Sequence, residues 1–464
     1  MQLSNEEEDY NLSLKKFESM LKTNKVLFFD SEEFEEIILH YLDMGKAALA
    51  KKALKLALDQ HPKSTGLKLV QVEMLVYDEK LDIAEKLLNE LYAIEPTNEE
   101  IFIQKANIYS KRDQHDKAVE LLNTALEYTD DYADVYNLIG MEYLFMDNLE
   151  MAKQSFIKCL EEDLDDQSAL YNVVYCFEFL DQNLQAIAYL NKYIDKNPYS
   201  EIAWHQVGRL YYGVKDYENA IRAFDYATLI DDEFLGAFME KAKAFERLNK
   251  YEEAIESYSR TIELDDATSY ALLRIGKCHE KLGNKALALK FFNQTVHEDP
   301  LLDKGWIAIT DFYVRQKNYQ KALFYVNKAL AIDNQNRLYW KRYATINKKM
   351  DLFEEAEFGF RKAVEFGDHE LDTWLFWVDM LQFLGEFESA IQTLLQACEY
   401  YPEENEIEYR LAGLYFMIKD NTKAKFHLSN ALRLNFDNYI ILEDLFPVVW
   451  TKKMVQNYIA KHKK

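Results

Sequence analysis

Residues that break helices are scarce in this chain. Its 464 residues hold 13 glycines and 6 prolines. So few over such a length exclude a many-turned β fold and argue for helix nearly throughout. Cysteine is scarcer still. Cys159, Cys176, Cys278 and Cys398 form no CxxC pair and no regular framework, which excludes a disulfide scaffold and a paired-cysteine zinc site. In a chain of this size they read as thiols buried as small hydrophobes in a reducing compartment. No apolar run reaches membrane-spanning length, so no span is expected. The opening MQLSNEEEDYNLSLKKF is acidic and lacks the apolar centre of a signal peptide. A cytoplasmic protein is therefore the expectation. The glycine loops that cradle phosphates are absent, as is HExxH, and the nine histidines are scattered. Cys278 and His279 are adjacent, but neighbours on a helix point different ways, so they read as a buried thiol beside a half-buried ring rather than a catalytic dyad. No catalytic residue, metal or cofactor is expected. Positive charge is the last shortage: 55 Lys and Arg face 80 Asp and Glu, for a net charge of −25. Such a field repels a phosphate backbone, so nucleic acid is disfavoured as a general partner.

What the chain does have is a period. Length alone would suggest roughly three ordinary domains, but a frame of 34 residues starting at Ser31 puts alanine at its twentieth place twelve times. These are Ala50, Ala84, Ala118, Ala152, Ala186, Ala220, Ala254, Ala288, Ala322, Ala356, Ala390 and Ala424. Five of the six prolines (Pro62, Pro96, Pro198, Pro300 and Pro402) share one place near the frame's end. Each frame divides into two apolar-periodic halves separated by a short polar turn such as Lys215-Asp216, Asn249-Lys250, Gly283-Asn284 or Lys317-Asn318. Asn or Asp there can cap the second helix and Gly can end the first. The spacing predicts an antiparallel helix hairpin in every frame. A glycine inside the first half, Gly208, is explained if two helices cross closely there, with Ala220 as the small residue on the second helix. Gly140 and Gly276 hold the same place, and Ala106, Ala242, Ala344 and Ala412 do nearly the same job. Phe224 fills the crossing from the second helix.

Trp204, Val207, Gly208, Tyr211, Ala220, Phe224 and Ala227 together resemble the signature of the tetratricopeptide repeat, with Asp232 where that family often has proline. The stretch FFDSEEFEEIILHYLDMGK (28–46) also resembles the start of long bacterial proteins made only of such repeats. The resemblance implies an all-α, right-handed α-solenoid of about twelve antiparallel hairpins with atypical terminal helices. Twelve repeats occupy 31–438. Residues 1–30 are expected to supply an N-terminal capping helix seated by Phe17, Met20, Leu21 and Val26. Residues 439–464 are expected to supply C-terminal capping helices, broken at Pro447.

The family fold implies a concave groove lined by the first helix of each hairpin, and two sets of groove places stand out. One is apolar: Met141, Leu144, Phe145, Tyr171, Tyr175, Phe179 and Tyr212. These residues either bury against each other in a tight superhelix or meet a partner. The other is basic. Arg247, Lys281, Arg315 and Lys349 share one place in four consecutive frames, and Arg209, Lys243 and Lys277 share another in three, with Lys304, Lys341 and Lys348 beside them. These residues either bind an anionic partner or are neutralised locally, Lys243 by Glu246 and Lys277 by Glu280, at salt-bridging spacing on one helix. The implied function is a non-enzymatic scaffold that holds another protein, or an extended acidic and aromatic peptide segment, in its groove. The alternatives are an RNA-associated scaffold working through the basic stripe, or self-assembly into a homo-oligomer.

Overall fold

The computed structural model describes residues 13–22, 27–264 and 269–462, and among them every regular element is helical. Val26 and the last two lysines lie outside the described residues. The chain divides into two compact units, Met1–Asp232 and Glu233–Lys464.

The first unit holds a helix over 13–22 and six hairpins. Their helices are Ser31–Asp43 with Ala47–Gln60, Thr65–Tyr77 with Leu81–Tyr92, Glu99–Lys111 with His115–Ala125, Tyr132–Phe145 with Leu149–Glu162, Gln167–Phe179 with Asn183–Lys196, and Glu201–Gly213 with Tyr217–Ile230. We number these hairpins 1 to 6. The second unit holds hairpins 7 to 12: Leu235–Arg247 with Tyr251–Leu264, Ser269–Lys281 with Lys285–Glu298, Asp303–Arg315 with Tyr319–Ile332, Arg337–Lys349 with Phe353–Glu365, Leu371–Leu384 with Phe387–Tyr400, and Asn405–Met417 with Asn421–Leu434. A short 3-10 turn and three small helices, Ile440–Leu445, Pro447–Trp450 and Lys453–His462, follow. Within each unit successive helices pack on one another in chain order.

One backbone device closes all twelve hairpins. The fifteenth place of each frame has positive φ, between +56° and +79°, and at nine of the twelve it is not glycine. Hairpin 6 displays the hydrogen bonding. Lys215 takes the left-handed conformation and its N–H donates to the Tyr212 carbonyl at 3.0 Å, while the Asp216 N–H donates to the Tyr211 carbonyl at 2.9 Å. These are the two bonds that satisfy the last carbonyls of a helix ending in a left-handed residue. The Asp216 carboxylate then accepts from the Asn219 N–H, capping the next helix. Asp216 thus ends one helix with its backbone and starts another with its side chain. Asn148, Asn318 and Asp420 do the same in hairpins 4, 9 and 12.

All twelve frame alanines are fully buried. The space above Gly208 is filled by the Phe224 ring: a Cβ on Gly208 would lie 2.6 Å from Phe224 Cε1. Gly140 stands in the same relation to Phe156, and Gly276 to Phe292, at 2.5 and 2.6 Å. In other hairpins the same two places carry other pairs, and none sets a large first-helix residue against Phe or Tyr. Small Ala106 and Ala412 face Leu122 and Leu428, larger Val72, Val174 and Val378 face Leu88, Leu190 and Leu394, and Thr310 faces the shorter Val326. Hairpin 10 keeps Ala344 against Phe360 and places its glycine on the second helix instead, where a Cβ on Gly359 would lie 2.9 Å from the Ala344 Cβ. A close-packed interior tolerates neither a void nor a clash at such a crossing, and in these hairpins the largest second-helix residues, Phe and Tyr, always stand against Gly or Ala.

The linkers between hairpins have their own recurring bond. Trp204 Nε1 donates to the Pro198 carbonyl, and Trp306 Nε1 to the Pro300 carbonyl, both at 2.9 Å. Trp340 Nε1 makes the same bond to Asn334 at 2.8 Å. At the N-terminal end Phe17 and Met20 of the first helix are buried against Phe29 and Phe34. At the far end Leu442, Phe446, Val449, Val455 and Ile459 close the core of hairpin 12, and Pro447 opens the second of the small helices.

Candidate partner-binding faces

The apolar set on the first unit separates into two groups. Met141 and Leu144 are half-buried and pack against the core of hairpins 4 to 6. Tyr212 is half-buried, edge-on to Tyr217 with ring centroids 5.3 Å apart. The remaining four stay open to solvent: Phe145 at 60%, Tyr171 at 44%, Tyr175 at 43% and Phe179 at 66%. Phe145 ends the first helix of hairpin 4, while Tyr171, Tyr175 and Phe179 follow one another at four-residue spacing on the first helix of hairpin 5, the spacing that gives a common helix face. Tyr175 and Phe179 touch ring to ring at 4.4 Å. Phe145 stacks at 5.3 Å on His115, whose Nδ1 lies 2.8 Å from the Glu142 carboxylate. The ring positions are therefore held before anything binds.

The basic set behaves differently. Arg209 belongs to the first unit, where it donates to Gln206 and lies 3.6 Å from Glu178. The others lie on the second unit, and the two units differ sharply in charge: 1–232 carries 45 acidic and 23 basic residues, 233–464 carries 35 and 32. The basic face is thus local to the half of the chain where the repulsive field is weakest.

The neutralisation expected within a single helix does not form. Glu246 is held by Arg274 of the next hairpin, through Nε at 2.9 Å and a second nitrogen, and it also accepts from the Tyr258 hydroxyl at 2.8 Å. Glu280 likewise pairs with Arg315 of the following hairpin. A planar guanidinium that meets both carboxylate oxygens across the helix–helix groove outcompetes a single ammonium reaching along one helix. The same bridge recurs where Arg342 meets Asp311 at 2.9 and 3.2 Å and where buried Arg410 meets Asp379 and Glu406. Arg274, Arg342 and Arg410 were not picked out by the stripe, yet all occupy the sixth place of their frames. Arginine at that place with a carboxylate in the preceding first helix is the signal that would have found them.

These bridges leave part of the stripe uncommitted. Among the described residues Lys277, Lys281, Lys304 and Lys349 make no ion pair. Burial, aided by neighbouring Arg274, holds the Lys277 ammonium below the ordinary lysine range. Lys243 lies over the Tyr270 ring at 5.7 Å, and Arg247 is exposed. Lys341 is spoken for: it lies 2.6 Å from Glu370 and 3.6 Å from buried Asp368. Lys348 is shared between Asp379 at 3.6 Å and the Phe376 ring at 4.3 Å.

Two cavities open beside this face. One of about 310 Å³ lies between hairpins 9 and 10, with Val314, Leu338 and Ile346 as apolar wall and Lys341, Arg342 and Lys349 around it. The other, of about 540 Å³, is bounded by Phe383, Phe387 and Met417, by Leu445 and Val448 of the terminal helices, and by Lys348. Neither was visible as a cavity in the sequence, and the second uses residues outside the repeat altogether.

Burial accounts for the thiols and for the Cys278–His279 neighbours. Burial pushes the Cys278 thiol up to about 12 and those of Cys176 and Cys398 to about 11, so none is a thiolate at neutral pH. The His279 ring stacks on Phe291 at 5.4 Å, and burial lowers its pKa. Among the described residues no three His, Cys, Asp or Glu side chains gather as a metal ligand set, and no helix is long and apolar enough to cross a membrane.

Comparison with known proteins follows the same repeat. Family models of the tetratricopeptide repeat match residues 75–141, 133–166, 239–302 and 304–336. The anaphase-promoting complex subunit 3 of Schizosaccharomyces pombe is 26% identical over 157 residues, 34% of this chain and 24% of the relative. The cell division cycle protein 27 homolog of Caenorhabditis elegans is 30% identical over 92 residues, 20% of this chain and 12% of the relative. The chain therefore spans a quarter or less of the length of these curated relatives. A crystal structure of the APC/C hetero-tetramer Cut9–Hcn1 aligns over 100% of this chain and 95% of its own, at 14% identity and a TM-score of 0.35. That of YrrB, described as a TPR protein with an unusual peptide-binding site, aligns over 40% of this chain and 95% of its own, at 21% identity and a TM-score of 0.31.

Proposed function

We propose that this chain, which is a tetratricopeptide-repeat protein, works as a non-enzymatic scaffold that holds extended segments of other proteins on the first-helix faces of its hairpins. The observation that carries the reading is the exposed aromatic face of hairpins 4 and 5. Phe145, Tyr171, Tyr175 and Phe179 are large apolar side chains that the hairpin cores do not use. Clustered apolar rings on a soluble surface mark an interaction site, and aromatic residues supply much of the affinity at protein interfaces. On the second unit the uncommitted lysines favour acidic residues in whatever lies against them. Neighbouring helices stand about 10 Å apart and an extended peptide advances about 3.3–3.6 Å per residue, so roughly every third partner residue would meet a lysine. The fission-yeast relative is named as a subunit of a complex, which supports an assembly role without specifying this chain's partner. Four unpaired cysteines agree with a cytoplasmic setting.

The test is affinity capture with the full chain and with Tyr175→Ala/Phe179→Ala, with and without nuclease. Both substitutions are at exposed places, so the fold should survive. A partner protein retained by the wild type, indifferent to nuclease and lost from the double variant supports the reading. Capture that disappears with nuclease would instead favour the RNA scaffold. Capture of the chain's own copies alone would favour self-assembly.

A further inference from the structure

We propose that the two cavities flanking Lys348 and Lys349 form one recognition site for a protein segment carrying two large apolar residues with acidic residues between them. This rests on the scaffold reading above and specifies which segment the second unit takes.

The two lysines are consecutive at the end of the helix Arg337–Lys349, and successive residues on a helix diverge by about 100°. Lys349 accordingly borders the 310 Å³ cavity and Lys348 the 540 Å³ cavity. Two of the three carboxylates in the walls are already engaged, Asp311 by Arg342 and Asp379 by Arg410, and the third, Asp444, is exposed at the rim of the larger cavity, away from Lys349. They do not cancel Lys349, which makes no ion pair among the described residues, and they hold Lys348 only at 3.6 Å. A carboxylate arriving between the cavities gains attraction that the protein has not satisfied internally, and an incoming lysine would be repelled.

The walls state the rest of the specificity. Phe383 is 67% exposed, Val448 65% and Leu338 47%. Each borders a cavity, and each is an apolar side chain that a partner can cover. The larger cavity exists because the chain beyond hairpin 12 does not continue as a thirteenth first helix. Ile440–Leu445 packs on the first helix of hairpin 12, then Phe446 and Pro447 turn the chain aside. The first cavity lies between hairpins 9 and 10, and the second runs from Lys348 of hairpin 10 across hairpins 11 and 12 to the terminal helices, so a segment that fills both must pass the two lysines.

The probe is an array of synthetic peptides in which one Leu and one Phe are separated by two to nine residues, the spacers built from Glu and Gly, Ser and Gly, or Lys and Gly. Labelled full-length protein should bind the Glu-spaced peptides best, with one spacer length preferred over the others, and should not bind the Lys-spaced set. Lys349→Glu and Val448→Asp should each weaken binding about 10-fold, whereas Lys285→Glu, an equal charge change at an exposed residue on the second helix of hairpin 8, should not. All three sites are exposed, and circular dichroism checks that the variants remain folded. Equal binding by Glu-rich peptides lacking Leu and Phe would overturn the inference, because charge alone would then suffice. Unchanged binding by Val448→Asp would overturn it too, as would an array with no bound peptide. None of these outcomes touches the scaffold reading, which stands or falls on Tyr175 and Phe179.

Discussion

Gly208 should respond to substitution in a way its helix alone would not predict. In an exposed helix interior, glycine to alanine stabilises by about 1 kcal/mol. Gly213, five residues on in the same helix, has open space around its missing Cβ, so Gly213→Ala should gain up to that amount. At Gly208 the added carbon would lie 2.6, 2.7 and 3.0 Å from three atoms of the Phe224 ring. The ring is fully buried and must shift, and such overpacking costs about 1–3 kcal/mol. Gly208→Ala should therefore be neutral to destabilising, by about 0–2 kcal/mol once the helical gain is subtracted. Phe224→Leu alone should cost about 1–2 kcal/mol, by the space it leaves over the glycine. The double variant reproduces the pairs of hairpins 3 and 12, Ala106 with Leu122 and Ala412 with Leu428, and should be more stable than the singles sum to, with a coupling of about 1 kcal/mol or more. Repeat arrays unfold in parts, so the readout is amide hydrogen exchange over 201–230 together with urea denaturation. If Gly208→Ala is as stabilising as Gly213→Ala, or the double variant is additive, the Phe224 ring is not what fixes that glycine.

Two further outcomes are expected. Lys317 holds a left-handed turn with φ +57°, so Lys317→Gly should be neutral or stabilise by up to about 1 kcal/mol and Lys317→Val should destabilise by about 1–2 kcal/mol; urea melts in which the two variants behave alike would contradict the turn. Burial, and next Asp43, raises the Glu73 carboxyl above its ordinary range; burial, opposed by a hydrogen bond from Gln104 and assisted by Glu73, does the same for Glu100. A raised folded-state pKa gives stability that is present below the unfolded carboxylate value and lost as pH rises through the folded one. Glu100→Gln should thus exceed the wild type in urea midpoint at pH 7, by a margin that shrinks as the buffer approaches pH 4.5; a margin that is constant or reversed would refute the assignment.

The fold was legible because its constraints fall within one frame. A buried alanine at one place, a left-handed residue at another and a capping Asp or Asn beside it are each fixed by contacts inside a single hairpin. The faces were less legible because their state depends on the next hairpin. Glu246 has Lys243 three residues before it, but its partner is Arg274, twenty-eight residues on. Met141 and Phe145 are one turn apart on the same helix, yet one joins the core and the other is exposed. The cavity beside Lys348 needs Leu445 and Val448, which belong to no repeat. Periodicity records what every hairpin needs, and a binding face is made where the hairpins differ.

The rule that Phe or Tyr at the twenty-fourth place meets only Gly or Ala at the eighth also sets where such a gene can recombine. A crossover within a turn would join the first helix of one hairpin to the second helix of another. Val174 set against Phe224 would be overfilled, and Gly208 set against Val326 would leave a void. A crossover in the linkers keeps each matched pair together. Shuffling, duplication and loss should therefore proceed in whole hairpins with breakpoints near the late-proline place, and chimaeras cut at the left-handed turn should fold poorly even though both halves carry the same repeat.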